Sequence, residues 1–370
     1  MRPTYALINL AHLRYNFLQI RKRVKSSKVM AVVKADAYGH GMLRCVEAYE
    51  KLGARSPDYY GVALTEEAVE LRKSGLTNKP ILTFSPFRAD ETDEYIRHKI
   101  APTVCSENTL SKLGRVKTKS PVPVHINIDT GMGRLGIHHT RASEFIQKLA
   151  SREQIIISGI YTHFATSDET DKSYANLQLS RFQDVILEVK SAGIKNFLIH
   201  AANSGAILDM PASFMDMVRP GISLYGYYPS LETSESIDLK PVMSLISSIS
   251  GIKSIRKGES VSYGRKFTAE SDTNLASIPV GYADGVNRLL TNRMQVIIKD
   301  KLFNQVGRVT MDRILINIKN HNLKEGNKVI LIGKSGAAQI TAWHWSKILN
   351  TIPYEITCNI SKRVPRKYIG

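Results

Sequence analysis

The chain has 370 residues, 43% hydrophobic and 23% charged, which is the composition of a folded globular protein of about two domains and excludes wholesale disorder. Its 51 Lys and Arg against 33 Asp and Glu give a net charge of +18. The basic residues are scattered, and short clusters such as Arg21-Lys22-Arg23 and Lys362-Arg363 lack interleaved aromatics or zinc spacing, so a nucleic-acid partner is not expected.

Cys45, Cys105 and Cys358 are far apart, odd in number and without Cys-x-x-Cys spacing, which argues against a disulfide framework and against a zinc site. No metal is expected. The opening residues Met1 to Leu10 show neither an apolar signal core nor a small-residue cleavage site, and no run is long enough to span a bilayer. A cytoplasmic protein without a membrane partner is the expectation.

In chain order, the pattern at 14–24 predicts a first helix. Apolar runs follow at 29–33, 60–64, 80–84, 100–104, 122–128, 155–161, 197–200 and 217–224, with amphipathic stretches between them. The stretch 65–74 carries its glutamates early and Gly75 just after its end, as helix dipoles and caps favour. Eight alternating units predict an α/β fold, an N-terminal (β/α)₈ barrel of the TIM type, the alternative being an open doubly wound sheet.

The character changes at 228–236, a polar stretch with Pro229 and four Ser or Thr residues that reads as a linker. Beyond it, runs at 242–249, 274–279, 295–298, 314–318 and 329–332 predict strands, with one helix at 343–349. The expected division is a barrel domain over 1–230 and a mainly β domain over 231–370, with a short N-terminal strand that packs on the second domain.

The residue on which the chemistry turns is Lys34, delivered by the buried strand 29–33 to the loop Lys34-Ala35-Asp36-Ala37-Tyr38-Gly39-His40-Gly41. Apolar surroundings disfavour an ammonium ion, and a neutral amine attacks carbonyls. The implied chemistry is a Schiff base, most often with pyridoxal 5'-phosphate; the competing reading is a lysine that merely snorkels at a strand end.

In a barrel the C-terminal strand ends face one site, so the polar residues there matter jointly. Arg134 follows strand five in Asp129-Thr130-Gly131-Met132-Gly133-Arg134-Leu135-Gly136, His163 ends strand six, and Asn203 and Ser204 end strand seven. Ser204 with the amides near Gly221 and Ile222 offers donors for a phosphate, where barrels often bind one. Arg219 lies near the start of the strand-eight segment. An arginine facing the pyridine nitrogen only donates, keeps that nitrogen unprotonated and weakens the ring as an electron sink, which suits racemisation better than transamination.

The segment Ala31-Val32-Val33-Lys34-Ala35-Asp36-Ala37-Tyr38-Gly39-His40-Gly41 resembles the cofactor-attachment signature of alanine racemases. The likeness continues in order through Asp129 to Gly136, Thr162-His163-Phe164-Ala165, Val218-Arg219-Pro220-Gly221-Ile222, Val261-Ser262-Tyr263-Gly264, Gly281-Tyr282-Ala283-Asp284-Gly285, Gly307-Arg308-Val309-Thr310-Met311-Asp312 and Pro353-Tyr354-Glu355-Ile356. Eight motifs in order are far more specific than one.

The resemblance implies a homodimer with two shared active sites, each completed by the partner's β domain. Lys34 is then the base on one face of the alanine α-carbon and Tyr263 of the other subunit the acid/base on the opposite face. Two bases suit inversion, because a single base tends to return the proton to the face it came from. His163 is expected to contact this tyrosine and Arg219. Tyr38, Ser204, Gly221, Ile222 and Tyr354 are expected at the cofactor phosphate, Arg134 and Met311 at the substrate carboxylate, Tyr282 and Tyr354 at a narrow entrance, and Asp168, Arg288 and Arg308 at its outer mouth. The product would be D-alanine for peptidoglycan. The alternatives are a broader or serine racemase on the same fold, and a single-domain cofactor carrier, against which the β segment argues.

One departure concerns Asn127, where many family members carry a carbamylated lysine that braces the arginine. Asparagine has no amine to carbamylate, so a small anion such as chloride is the expected substitute, the alternative being that Asn127 itself hydrogen-bonds Arg134 and water supplies the rest.

Overall fold

The computed structural model describes residues 2–113 and 120–370. The chain forms two compact units, one of residues 14–37 and 42–239, the other of residues 1–13, 38–41 and 240–370.

The first unit is a ring of eight parallel strands: β1 (Lys28–Val32), β2 (Tyr59–Val62), β3 (Ile81–Pro86), β4 (Ile100–Val104), β5 (Val122–Asp129), β6 (Ile155–Thr162), β7 (Leu198–His200) and β8 (Met217–Val218). β1 to β7 pair successively in sequence order, and β8 pairs back onto β1 through Met217 opposite Lys28. The remaining gap is bridged by backbone N–H groups of Asp216 and Arg219, which donate to the carbonyls of Ile199 and Ala202 at 3.1 and 2.9 Å. The barrel expectation therefore holds. Strands such as β4 are buried at every residue, because a parallel sheet is covered on one face by helices and filled on the other. Inside the barrel Met30, Leu82, Ala101 and Met217 form a core cluster against Tyr59, Phe84 and Leu198.

Strand eight departs from expectation. It stops at Val218, because Pro220 has no N–H for a ladder, and the chain instead turns into a short 3₁₀ helix, Ile222–Tyr225. Arg219 consequently lies just past the C-terminal end of β8, and not near the start of a longer strand.

The second unit is mainly β. Its sheet runs, in spatial order, Gly251–Ile255, Thr273–Ile278, Ile314–Asn317, Lys301–Val306, Gln295–Ile298, Lys328–Ser335, Met243–Ser248, Tyr5–Asn9 and Arg366–Ile369. The N-terminal strand is antiparallel to Met243–Ser248 and parallel to Arg366–Ile369. Gly251–Ile255 and Lys301–Val306 escape an apolar-run search because Lys253, Ser254, Lys301, Asn304 and Gln305 dilute them. Helices Ala342–Leu349 and Pro353–Cys358 complete the unit.

Candidate active site

β1 sets the position of Lys34. Val33 donates its N–H to the Gly61 carbonyl at 2.8 Å, and the chain then leaves the sheet. Ala35, Asp36, Ala37 and Tyr38 all have φ between +52° and +54°, a left-handed turn. Such backbone costs about 1–2 kcal/mol per non-glycine residue, so it persists only where neighbours enforce it. Glu67 Oε1 accepts from Ala35 N–H at 2.6 Å, Asp36 Oδ1 accepts from Met42 N–H at 2.7 Å, and Val33 carbonyl accepts from Ala37 N–H at 2.8 Å. The Lys34 ammonium lies 5.9 Å from the centre of the Phe84 ring, at the barrel's C-terminal mouth.

Arg219 is buried within the same unit. Its Nη2 donates to the carbonyls of Thr162 at 2.7 Å and Ala201 at 2.9 Å, and its Nη1 to Nδ1 of His200 at 2.9 Å. His200 lies 2.9 Å from Nδ1 of His125 through Nε2 and stacks on Tyr161 with ring centres 4.9 Å apart. Burial and the Arg219 charge hold His125 at about 3 and His200 well below the usual imidazole range. Burial lowers Arg219 itself to about 10, still a cation at neutral pH, and raises Tyr161 to about 12.

His163 lies past β6, and burial together with the charges of Arg219, Arg134 and Lys34 pushes it down to about 3. The fold thus brings three expected site cations into electrostatic reach of His163. The histidine bonded to Arg219 is His200, whose role the local sequence did not signal; its partner His125 lies 75 residues away.

Ser204 Oγ accepts from the Gly221 N–H at 2.9 Å and the Ser223 N–H at 3.4 Å, so this hydroxyl and the turn bearing Ile222 lie together. Asn203 is not the end of β7 but the cap of the helix Ser204–Asp209. Its Oδ1 accepts from Ala206 N–H at 3.1 Å and from Ser167 Oγ at 2.7 Å. Asp168 follows, its carbonyl bonded by Ser230 Oγ.

The loop after β5 carries Arg134 at an exposed position. Asp129 Oδ1 accepts from the N–H groups of Gly131 and Gly133, both at 3.0 Å. Gly136 is at φ +128°, and a Cβ there would sit 2.6 Å from the Asp129 nitrogen, so only glycine lets the loop close. Asn127 Nδ2 donates to the Leu135 carbonyl at 3.1 Å, which ties the uncharged side chain to the far end of the same loop.

In the β unit, Tyr263 is 73% exposed on a strained loop. Ser262 before it has φ +64°, Arg308 Nε donates to the Tyr263 carbonyl at 3.2 Å, and Ser262 Oγ donates to the Arg308 carbonyl at 3.0 Å. Tyr263, Tyr282, Arg288, Arg308 and Met311 line one cleft. Tyr282 and Ala283 donate their N–H groups to the carbonyls of Thr310 and Met311 at 2.9 and 3.1 Å. Tyr38 packs on Tyr354 with ring centres 5.9 Å apart, and burial raises its phenol above the usual range.

These residues suit pyridoxal 5'-phosphate. Among the described residues, the hydrogen bonds of Arg219 leave from its terminal nitrogens. Its Nε–H, a donor only, remains for an unprotonated ring nitrogen. Ser204 with the Gly221 turn would hold the phosphate, and Lys34 would carry the carbonyl carbon. Among the described residues no group of His, Cys, Asp and Glu is placed to hold a metal ion, and no helix is long and apolar enough to cross a membrane.

Residues 8–229 match the family described as alanine racemase, N-terminal domain, and residues 242–368 match alanine racemase, C-terminal domain. The chain is 42% identical over 377 residues to alanine racemase of Clostridium tetani, covering 100% of this chain and 96% of that one. It is 40% identical over 374 residues to alanine racemase 2 of Caldanaerobacter subterraneus subsp. tengcongensis, covering 100% and 95%. Among solved structures, alanine racemase of Clostridium difficile superposes with a TM-score of 0.93 at 38% identity over 99% of this chain and 96% of that one. The Bacillus anthracis alanine racemase with bound L-Ala-P gives a TM-score of 0.93 at 32% identity, covering 100% and 96%.

Proposed function

The chain belongs to the alanine racemase family, which interconverts L-alanine and D-alanine, and from that premise we propose a two-base mechanism using Lys34 and Tyr263 of a second copy. Bound pyridoxal 5'-phosphate supplies the electron sink that makes the alanine α-proton removable. Lys34 removes or returns that proton on one face, and Tyr263 does so on the other. Arg134 and the Met311 amide orient the substrate carboxylate. His163 is kept neutral by burial and by three facing cations, so it can accept or donate one hydrogen bond without adding positive charge.

The observation that carries this reading is Arg219, a buried cation whose terminal nitrogens are all engaged on the barrel. A donor-only group there weakens the sink enough to favour prompt return of the proton. Exposure of Tyr263 on a braced loop supports a shared site in a homodimer. Tyr282 and Tyr354 narrow the entrance, with Asp168, Arg288 and Arg308 at its rim, which favours a methyl side chain. Production of D-alanine for peptidoglycan in the cytoplasm is the fitting role.

The test is an assay of cofactor-loaded protein with L-alanine in heavy water, following D-alanine and α-deuterium together. Racemisation with exchange supports the reading. Exchange without D-alanine would leave Tyr263 without its role, and equal turnover of L-serine would favour a broader racemase.

A further inference from the structure

The helix Ser173–Ser191 buries Ala175, Leu179, Phe182, Val185, Ile186 and Val189 at helical spacing, as a barrel's outer helix must. Interleaved with that apolar face are Tyr174, Gln178 and Arg181, four and three residues apart and so on one side of the helix. All three reach the start of the loop that carries Arg134. Tyr174 OH donates to the Gly131 carbonyl at 2.8 Å, Gln178 Nε2 to Thr130 Oγ1 at 3.3 Å, and Arg181 Nη1 to the Thr130 carbonyl at 2.9 Å.

Gln178 does more. It is fully buried, its Nε2 also donates to the His163 carbonyl at 3.1 Å, and its Oε1 accepts from the Ala165 N–H at 2.9 Å. One side chain therefore fixes the backbone on both sides of the His163 turn and joins it to the Arg134 loop. The junction is closed from inside by Thr130 Oγ1 and Thr162 Oγ1, 2.7 Å apart.

Arg134 itself takes part in none of the described hydrogen bonds or ion pairs and is exposed, so what the fold fixes is the backbone from which its side chain departs, and with it the region its guanidinium can reach. That backbone contains Gly131 at φ +140°, onto which Tyr174 has closed so tightly that a Cβ would lie 2.4 Å from the phenol oxygen.

We propose that Tyr174, Gln178 and Arg181 are positioning residues that aim Arg134 and so set how tightly the alanine carboxylate is held. The inference rests on the reading of Arg134 as the carboxylate partner. It assigns to the outer face of the barrel a control over substrate affinity, separate from the proton-transferring groups. The Tyr174 and Arg181 braces are one hydrogen bond each, and a net contribution of that size corresponds to a roughly three- to tenfold change in affinity.

The test uses the cofactor-loaded enzyme, with alanine as substrate and propionate as competitor. Propionate keeps the carboxylate but has no amine to react, so its inhibition constant reads the carboxylate hold alone. Tyr174→Phe and Arg181→Met are each expected to raise the alanine KM and the propionate inhibition constant together by about three- to tenfold, with kcat changed less than about twofold. Arg181→Lys, which keeps a donor, is expected to recover most of the loss. In an Arg134→Ala background the further effect of Tyr174→Phe is expected to vanish. Lower thermal stability with KM and propionate inhibition unchanged would make the stripe a plain fold contact and overturn the proposal. If Arg134→Ala leaves propionate inhibition untouched, the reading of Arg134 fails. If Arg134→Ala weakens inhibition while the stripe variants do not, the reading stands and the positioning role is lost.

Discussion

Nη1 of Arg219 lies 2.9 Å from Nδ1 of His200, and this one bond fixes the protons on two histidines. Arginine only donates, so His200 Nδ1 accepts and its Nε2 carries the hydrogen. His125 Nδ1 must then accept in turn, which leaves its own hydrogen on Nε2, a buried atom without a hydrogen-bond partner among the described residues. His200→Phe keeps a ring against Tyr161 but removes the acceptor. Hydrogen bonds to charged groups contribute about 1.5–3 kcal/mol, so cofactor affinity is expected to fall roughly ten- to hundredfold, with more transamination per turnover. A cofactor titration and a pyruvate assay measure the two effects; unchanged affinity would mean that Arg219 stands without His200.

Three histidines with strongly lowered pKa values make the fold acid-sensitive. His125 and His163 are lowered to about 3 and His200 well below its usual range, chiefly by burial. An unfolded chain protonates them near pH 6.5, while the folded chain stays neutral, so the unfolded state binds more protons below that pH. Stability is therefore full above about pH 6.5 and falls as pH drops toward 3, by up to about 4 kcal/mol per pH unit for three such groups. Denaturant unfolding at pH 7.5, 6.5 and 5.5 gives the slope, and His163→Asn should make it shallower by about a third.

Separate chains should complement each other if Lys34 and Tyr263 serve one site from two copies. Lys34→Ala and Tyr263→Phe are each expected to be nearly inactive, the first losing covalent attachment of the cofactor and the second keeping it. Mixing them under subunit exchange should restore up to about a quarter of wild-type activity, because one of the two sites in each heterodimer carries neither lesion. No recovery despite proven exchange would place both groups in one chain.

Gly281→Ala tests the loop that carries Tyr282. A Cβ at Gly281 would sit 2.3 Å from the carbonyl oxygens of both Thr310 and Met311, all backbone and unable to swing away. Overpacking of this kind costs about 1–3 kcal/mol. The expected result is a lower melting temperature and a raised alanine KM, as both entrance loops shift. A variant with native melting and native KM would show that the two loops part without consequence.

Much of the site was legible because its residues sit at strand ends, where apolar runs terminate in a single polar side chain. Lys34 after 29–33 and His163 after 155–161 are of this kind, and the structure places both at the barrel mouth. Ser204 and Gly221, also read from such positions, are joined by one hydrogen bond. Strand eight was overextended because Ile222, Leu224 and Tyr225 are apolar, although Pro220 forbids a continuous ladder. His125, His200 and Gln178 gave no signal, since a buried polar residue is recognisable only by partners that lie from 13 to 75 residues away in the chain. At Asn127 the sequence shows only the loss of a lysine; the structure adds that its amide donates to the Leu135 carbonyl of the Arg134 loop.

The left-handed turn behind Lys34 sets stability against chemistry. Four residues held near φ +53° carry together about 4–8 kcal/mol of conformational cost, as much as many domains have in total stability. A chain relaxed into ordinary backbone there would be sturdier, yet it would aim its lysine elsewhere. Improvement of this protein for heat resistance alone would therefore drift toward an inert form at these positions. Glu67 and Asp36 bear the load that prevents it, and their loss should be felt first as a lysine that no longer arrives, and only afterwards as a fold that fails.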